Sequence, residues 1–307
     1  MDLKIIYLIL GITGSILALE KGDRRQFEPN DLELKMTPWD PDCYNEHSKL
    51  QQVIAKNFLK ILKQKFGDIP APFQLLDIGS GSGGTTRLIL DAFPEIQILG
   101  VDSSEEMVQF ANRHYANGHL SFQVDRAEEL KSLGSNQFDA IASFACLHWV
   151  KDKKNAFAAM HRVLKLGGWM GLLFAAETGY DDPIDHAYDQ AIHEFPWAPY
   201  FEQPKKEVNW HIEDPKIVRS QLEELGFQVG FMGTQDSVFS FHDEPAFQRW
   251  VFASFQQLKL LPKNLQESCA ARIVELFLQS TSHLQIKKPQ CLYPIDGFML
   301  IAEKPHL

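Results

Sequence analysis

Cysteine is scarce in this chain, and what there is stands unpaired. Four cysteines among 307 residues, Cys43, Cys146, Cys269 and Cys291, form no C-x-x-C spacing. That argues against a thiolate zinc site and predicts reduced thiols rather than a disulfide framework. Positive charge is also short: 30 Lys and Arg stand against 40 Asp and Glu, for a formal net charge of −10. The basic pairs Arg24-Arg25 and Lys205-Lys206 are too brief to form a patch, so nucleic acid is not an expected partner. Repeats and low-complexity tracts are absent. Long apolar runs are absent too, with one exception near the start.

That exception is Ile5 to Leu19, apolar apart from Thr13 and Ser15. As a helix it would reach roughly 22 Å, short of the ~30 Å of a bilayer core. A signal-type apolar region, a short anchor, and an upstream extension of a protein starting at Met36 are the readings open to it. The expected organisation is a leader over 1–35 and one catalytic domain over 36–307. The expected location is the cytoplasm, with membrane contact only if 5–19 anchors the chain.

What is present is concentrated in Phe73 to Gly84. Leu75, Leu76 and Ile78 read as a buried strand, a glycine-dense turn follows, and Thr85 to Phe93 reads as a helix stopped by Pro94. Strand, turn and helix together bring backbone N–H groups to one ligand, and glycine lets that ligand approach the main chain. Gly79, Gly81 and Gly84 fit the dinucleotide pattern G-x-G-x-x-G, while Asp77, Gly79, Gly81 and Gly83 fit D-x-G-x-G-x-G. Asp77 separates the two on charge. A carboxylate ahead of the turn repels a pyrophosphate and suits an ammonium and sulfonium, as in S-adenosylmethionine.

Further strands are predicted at Ile96–Val101, Leu120–Val124, Phe138–Ala145 and Trp169–Ala175. Helices are predicted from Ser103, with Glu106 closing a capping box, and over Asn155–Leu166 before Gly167-Gly168. Alternation of this kind predicts a doubly wound α/β sheet, with ligands beyond the carboxyl ends of its strands. Asp77, Asp102, Asp125 and His148 all fall at such ends. Asp102 is placed to accept two ribose hydroxyls, and Asp125 with its neighbouring backbone to read an adenine edge.

Upstream, Trp39 between two prolines predicts a stiff extended arm through Tyr44, followed by a helix over His47–Phe66. Gln51 lies on that helix, facing either core or ligand. From Glu177 to Asp214 the alternation breaks into a proline- and aromatic-rich insertion, a candidate lid. Asp181, Asp182, Asp185 and His186 there read as a solvated charged surface rather than a metal site. Beyond it come a helix over Pro215–Leu225, two strands over Phe227–Met232 and Ser237–Phe241, helices over 244–258 and 264–283, and a closing strand over Asp296–Glu303.

Leu75 to Gly83 together with Asp102 resembles the class I S-adenosylmethionine-dependent methyltransferases. More narrowly, Trp39-Asp40-Pro41…Tyr44, Asp102 to Met107, and Leu147-His148-Trp149-Val150 resemble the trans-aconitate and juvenile-hormone-acid methyltransferases, which esterify small carboxylates. The resemblance implies a Rossmann-like, mostly parallel sheet with an antiparallel last strand and an inserted helical, aromatic lid. It implies that Asp77, Gly79 and Gly81 meet the methionine part of the cofactor and that Asp102 meets the ribose. Ser103 and Met107 fall beside the adenine, and Asp125 with Ala127 at the base edge. Ser80, Gly83 and Phe144 complete the expected cofactor-binding set. Gln51 and Trp149 match positions that hold a substrate carboxylate.

The expected acceptor is therefore a small carboxylic acid, with the protein acting as a monomer or weak dimer and without a metal. An ionised carboxylate needs no general base, so alignment and removal of water would carry the reaction. For a hydroxyl or amine acceptor, His148 would be the natural base. Esterification of a malonyl carrier protein, a nicotinamide-dependent oxidoreductase, and a cofactor-binding protein without catalysis are the alternatives.

Overall fold

In the computed structural model, the described residues are 40–67, 69, 71–201, 211–284 and 289–306. The expected leader, Trp39, and the 202–210 part of the expected lid lie outside them. Asp40 caps a short helix, α1 (Pro41–His47), by accepting the N–H of Cys43. The expected extended arm is thus helical from Pro41 onward, because a proline at the first helical position is pre-set for the helix and gives up no needed donor. Helix α2 (Lys49–Phe66) follows and ends at Gly67, as its 3.6-residue apolar period predicts.

Five parallel strands form the centre of the sheet: β1 (Gln74–Ile78), β2 (Gln97–Asp102), β3 (Leu120–Val124), β4 (Phe138–Phe144) and β5 (Leu164–Phe174). Helices α3 (Gly84–Ala92), α4 (Glu105–Tyr115) and α5 (Lys153–Val163) connect them. The N-cap of α4 is Ser104, whose hydroxyl accepts the Met107 N–H, one residue later than the expected Ser103 capping box. Ser103 is left at the strand tip. Helix α5 stops at Val163, three residues before the expected end, because Leu164 is already paired with Phe138 across a register shift. Gly167 and Gly168 therefore lie inside β5. A Cβ on Gly167, at φ +74, would strike the ring of His306.

After β5 come α6 (Pro183–Ile192), α7 (Pro215–Glu224), β6 (Gln228–Phe241), α8 (Glu244–Ser254), α9 (Lys263–Ser280) and β7 (Cys291–Glu303). The sheet order is β3-β2-β1-β4-β5-β7-β6, with β7 antiparallel to both its neighbours. The two short strands expected over 227–241 are one strand, held continuous by pairing with β7 from Gln228 to Phe241. β7 also outruns the parallel strands: its last partner on β5 is the pair Phe298–Phe174, and residues 291–297 continue beyond, paired only with β6.

Side chains alternate between the two sheet faces, as strand geometry requires. Leu76 and Ile78 join the core beneath α5 and α7, whereas Leu75 joins Phe58, Leu62, Ile89 and Val108 beneath α2, α3 and α4. A third core, chiefly from α6, α8, α9 and the overhanging ends of β6 and β7 with Leu50 of α2, includes Trp250, Phe277 and Tyr293. Among the described residues, no helix is long and apolar enough to cross a membrane.

Candidate active site

At the carboxyl ends of the parallel strands, the backbone turns sharply through glycine. Gly79, Gly81 and Gly83 have φ of +75, +54 and +88, a region that side-chain-bearing residues enter at a cost. At Gly79 space decides as well: a Cβ there would lie 2.3 Å from Cβ and Sγ of Cys146. The turn is tied to the next strand by Asp102, whose Oδ2 accepts Gly81 N–H at 2.9 Å while Oδ1 accepts Ser104 N–H at 2.9 Å. Burial holds the Asp102 carboxyl above its ordinary pKa, and these backbone donors offset part of that rise.

Beside the turn opens a cleft of about 450 Å³, its mouth included, walled by Gly79, Asp102, Ser103, the 125–128 loop, Cys146 and Trp149. Ala127 and Asp125 lie in that loop. The side chain of Asp125 points back into its own loop, accepting the N–H groups of Arg126, Lys131 and Ser132. Those bonds, with one from the Ser132 hydroxyl, outweigh partial burial and hold its pKa low. Beside the loop backbone, Arg126, Ala127 and Glu128 line the cleft.

Other expected residues sit one layer back from the cleft. Asp77 is buried at 1 % exposure and accepts the Thr86 hydroxyl at 2.6 Å, which pins α3 to β1. Burial raises its pKa to about 7, partly countered by the Thr86 bond. Near neutrality its charge is therefore partial, weaker than the full charge on which the sequence argument relied. The Ser80 side chain turns under the loop toward Gly100 and its hydroxyl is buried without a partner. Met107 and Phe144 are buried core residues at 3 % and 7 % exposure, Phe144 edge-on to Phe58. Gly81 and Gly83 shape the turn without walling the cleft.

A second and larger chamber, about 880 Å³ with its mouth, adjoins the cleft, and Trp149 walls both. Gln51, His148 and Trp149, named from sequence, all line it. The Gln51 amide is held from both sides: the Trp250 indole N–H donates to Oε1 at 3.2 Å, and Nε2 donates to Ser254 Oγ at 3.3 Å. An indole N–H can only donate, so the amide oxygen must face Trp250 and the NH₂ must face away. One amide hydrogen then remains for a ligand. His148 is buried, and its Nδ1 accepts the Ala175 N–H at 3.3 Å, which makes Nε2 the protonated nitrogen. Burial, reinforced by Lys153, lowers its pKa to about 3.

Sequence reasoning missed several residues here. Tyr44 of α1 lies over Gly81 and also lines the chamber. Asn45 accepts the Ser82 and Tyr115 hydroxyls at 3.3 and 3.0 Å, latching α1 onto the glycine turn. The advance signal was the Trp39-Asp40-Pro41…Tyr44 resemblance, in a stretch expected to be an extended arm. Ser254 and Tyr293 come from elements far apart in the chain, where no local spacing announces them, and Asp182, expected on a solvated charged surface, lines the chamber together with Trp250.

The cleft's donor set suits one kind of ligand. Its described walls carry the carboxylates of Asp102 and Glu128, with that of Asp125 turned into its own loop, against a single cation, Arg126, a balance that favours hydroxyls, an amino-purine and positive charge over phosphate. A sequence profile described as a methyltransferase domain matches residues 76–172. The juvenile hormone acid O-methyltransferase of Bombyx mori is 32% identical over 197 residues, covering 61% of this chain and 68% of that protein.

The chain belongs to the S-adenosylmethionine-dependent methyltransferases. The trans-aconitate 2-methyltransferase of Acidovorax ebreus is 28% identical over 170 residues, which span 50% of this methyltransferase and 62% of the Acidovorax protein. A solved geranyl diphosphate methyltransferase shares the fold at a TM-score of 0.52 and 16% identity, over 85% of this chain and 88% of that one. The matched stretch 76–172 runs from β1 into β5. It contains the whole cleft wall, whereas much of the chamber is built by α2, α6, α8 and β7 outside it.

Proposed function

We propose that this methyltransferase esterifies the carboxylate of a small, largely apolar monocarboxylic acid. The observation that carries the reading is the clamped Gln51 amide, whose orientation is forced by Trp250 and whose spare hydrogen serves an acceptor-only group. The remainder of the chamber agrees. Its described walls are mainly aliphatic and aromatic and include no Lys or Arg. A single carboxylate can be held there by neutral donors, whereas a tricarboxylate would leave charges buried without partners.

When bound, S-adenosylmethionine supplies an electrophilic methyl carbon attached to a sulfonium. The Asp102 carboxylate would hold the ribose hydroxyls, the 125–128 loop and Ala127 the base, and the glycine turn beneath Tyr44 the methionine portion. Gln51 and Trp149 orient the acceptor at the junction of cleft and chamber. The apolar walls strip water from the carboxylate, raising its nucleophilicity. No proton has to leave an ionised acid, and His148 is suited to donating through Nε2 rather than to taking a proton. The similarity to the juvenile hormone acid and trans-aconitate enzymes supports a carboxylate acceptor. The apolar chamber favours the former kind of acid.

The test is incubation with methyl-labelled cofactor and a panel of monocarboxylic and polycarboxylic acids. The expected product loses its label as methanol on mild base treatment, as an ester must. Label confined to base-stable products, with hydroxyl or amine acceptors turned over instead, refutes the reading.

A further inference from the structure

Resting on the carboxylate reading, we infer that the hydroxyl of Ser254 donates a second hydrogen bond to the acceptor carboxylate, beside the one from Gln51. The acid is then gripped by two elements, α2 and α8. Ser254 is the last residue of α8 and lines the chamber. Trp250 stands four residues earlier, on the same face of that helix. Both side chains meet the one Gln51 amide, Trp250 at its oxygen at 3.2 Å and Ser254 at its nitrogen at 3.3 Å.

Those bonds run in one direction. The indole N–H can only donate, the Gln51 oxygen accepts it, and the Gln51 NH₂ donates onward to Ser254 Oγ. Ser254 is the acceptor in that bond, so its own hydrogen is left over. A serine in a helix can spend that hydrogen on the carbonyl one turn back. Among the described residues, the Gln51 contact is the side-chain hydrogen bond that Ser254 makes, and none runs to the Trp250 carbonyl. The hydroxyl of Tyr293, also in the chamber wall, is by contrast spent on Asp182 at 2.7 Å. Two donors, the spare Gln51 hydrogen and the Ser254 hydroxyl, thus issue from atoms 3.3 Å apart. A carboxylate has two oxygens side by side to meet them. In a wall without a described Lys or Arg, two donors offset its lost hydration better than one. Each link of the chain from Trp250 to Ser254 also polarises the next. A neutral alcohol offers the pair one oxygen, and an ammonium offers it none.

The experiment measures turnover of medium-chain fatty acids with labelled S-adenosylmethionine in the parent, in Ser254→Ala, in Gln51→Met and in the double variant. Calorimetry with S-adenosylhomocysteine, expected to stay within about threefold of the parent throughout, reads whether the donor site persists. Ser254→Ala is expected to lower kcat/KM at least about tenfold, chiefly through KM, because a hydrogen bond to a charged group is lost. The Gln51→Met background separates direct contact from bracing. If Ser254 touches the acid, its removal there still costs at least about fivefold; if it only braces Gln51, its removal costs nothing more. A Ser254→Ala enzyme within about threefold of the parent, or a loss that vanishes in the Gln51→Met background, overturns the direct contact and leaves the carboxylate reading intact. Failure of the parent to bind or esterify any acid, with S-adenosylhomocysteine still bound, overturns the carboxylate reading itself, and this inference with it.

Discussion

Replacing Asp102 with Asn tests the cofactor cleft most directly. The wild-type carboxylate is half-buried in the cleft wall and accepts the backbone N–H groups of Gly81 and Ser104 at 2.9 Å, with that of Ser103 also directed at it. With about four acceptor positions in all, the carboxylate can still take a ribose hydroxyl, and a hydrogen bond to a charged group contributes about 1.5–3 kcal/mol. The amide keeps one acceptor oxygen, loses the charge, and sets its NH₂ against a backbone N–H. The expected loss is about 2–4 kcal/mol, or roughly 30- to 1,000-fold in Kd. Stability of the cofactor-free protein should fall by about 1–3 kcal/mol, the cost of one backbone N–H left facing the NH₂, eased because burial already disfavours the ionised carboxylate. Calorimetry with S-adenosylhomocysteine reads the affinity and thermal melting reads the stability. Asp125→Asn is the internal control, since that side chain is engaged by its own loop; its effect should stay below about tenfold. If Asp102→Asn binds within about threefold of the parent, or if Asp125→Asn is the more damaging change, the assignment of the cleft is wrong.

Three other outcomes follow from the geometry. Gln51→Glu keeps an oxygen for Trp250 but turns a negative charge toward the acceptor, so acceptor KM should rise at least about tenfold with cofactor affinity held; an unchanged KM removes Gln51 from the acceptor site. His148→Asn keeps an acceptor for the Ala175 N–H and should retain turnover to within about tenfold, whereas a fall of about a hundredfold or more would mark a general base. For Asp77, the folded pKa of about 7 lies above the ordinary value near 3.8, so its contribution to stability is complete below pH ~4 and is lost as pH rises through about 7. Denaturant unfolding of the cofactor-free protein should show that decline, on the order of a few kcal/mol. In Asp77→Asn the slope should flatten, and a slope that persists unchanged assigns the titration elsewhere.

The donor half of the site was readable because its determinants are local. A strand, three glycines, an acidic strand tip and a helix start follow one another within Gln74 to Tyr115, and each carries its own physical signature. What sequence could not supply was depth. Asp77 looks exposed to a ligand from its place before the turn, but Thr86 on the following helix closes over it. Ser103 and Ser104 are equally good caps on paper; Asp102 settles the choice by accepting the Ser104 N–H. The acceptor half was barely legible, since Gln51 meets Ser254 and Trp250 across some two hundred residues and Tyr293 meets Asp182 across more than one hundred. β6 misled for a related reason. Gly233 and the polar run after it resemble a break until β7 is present to pair with them.

The third hydrophobic core has a consequence of its own. Because α6, α8, α9 and the hairpin overhang pack chiefly on one another, that roof can loosen or be rebuilt while the sheet and its glycine turn stay intact. Amide exchange in the roof should accordingly run ahead of exchange in β1, β2 and β4. Over longer times, substitutions in the roof can reshape the chamber without disturbing the strand ends beneath it.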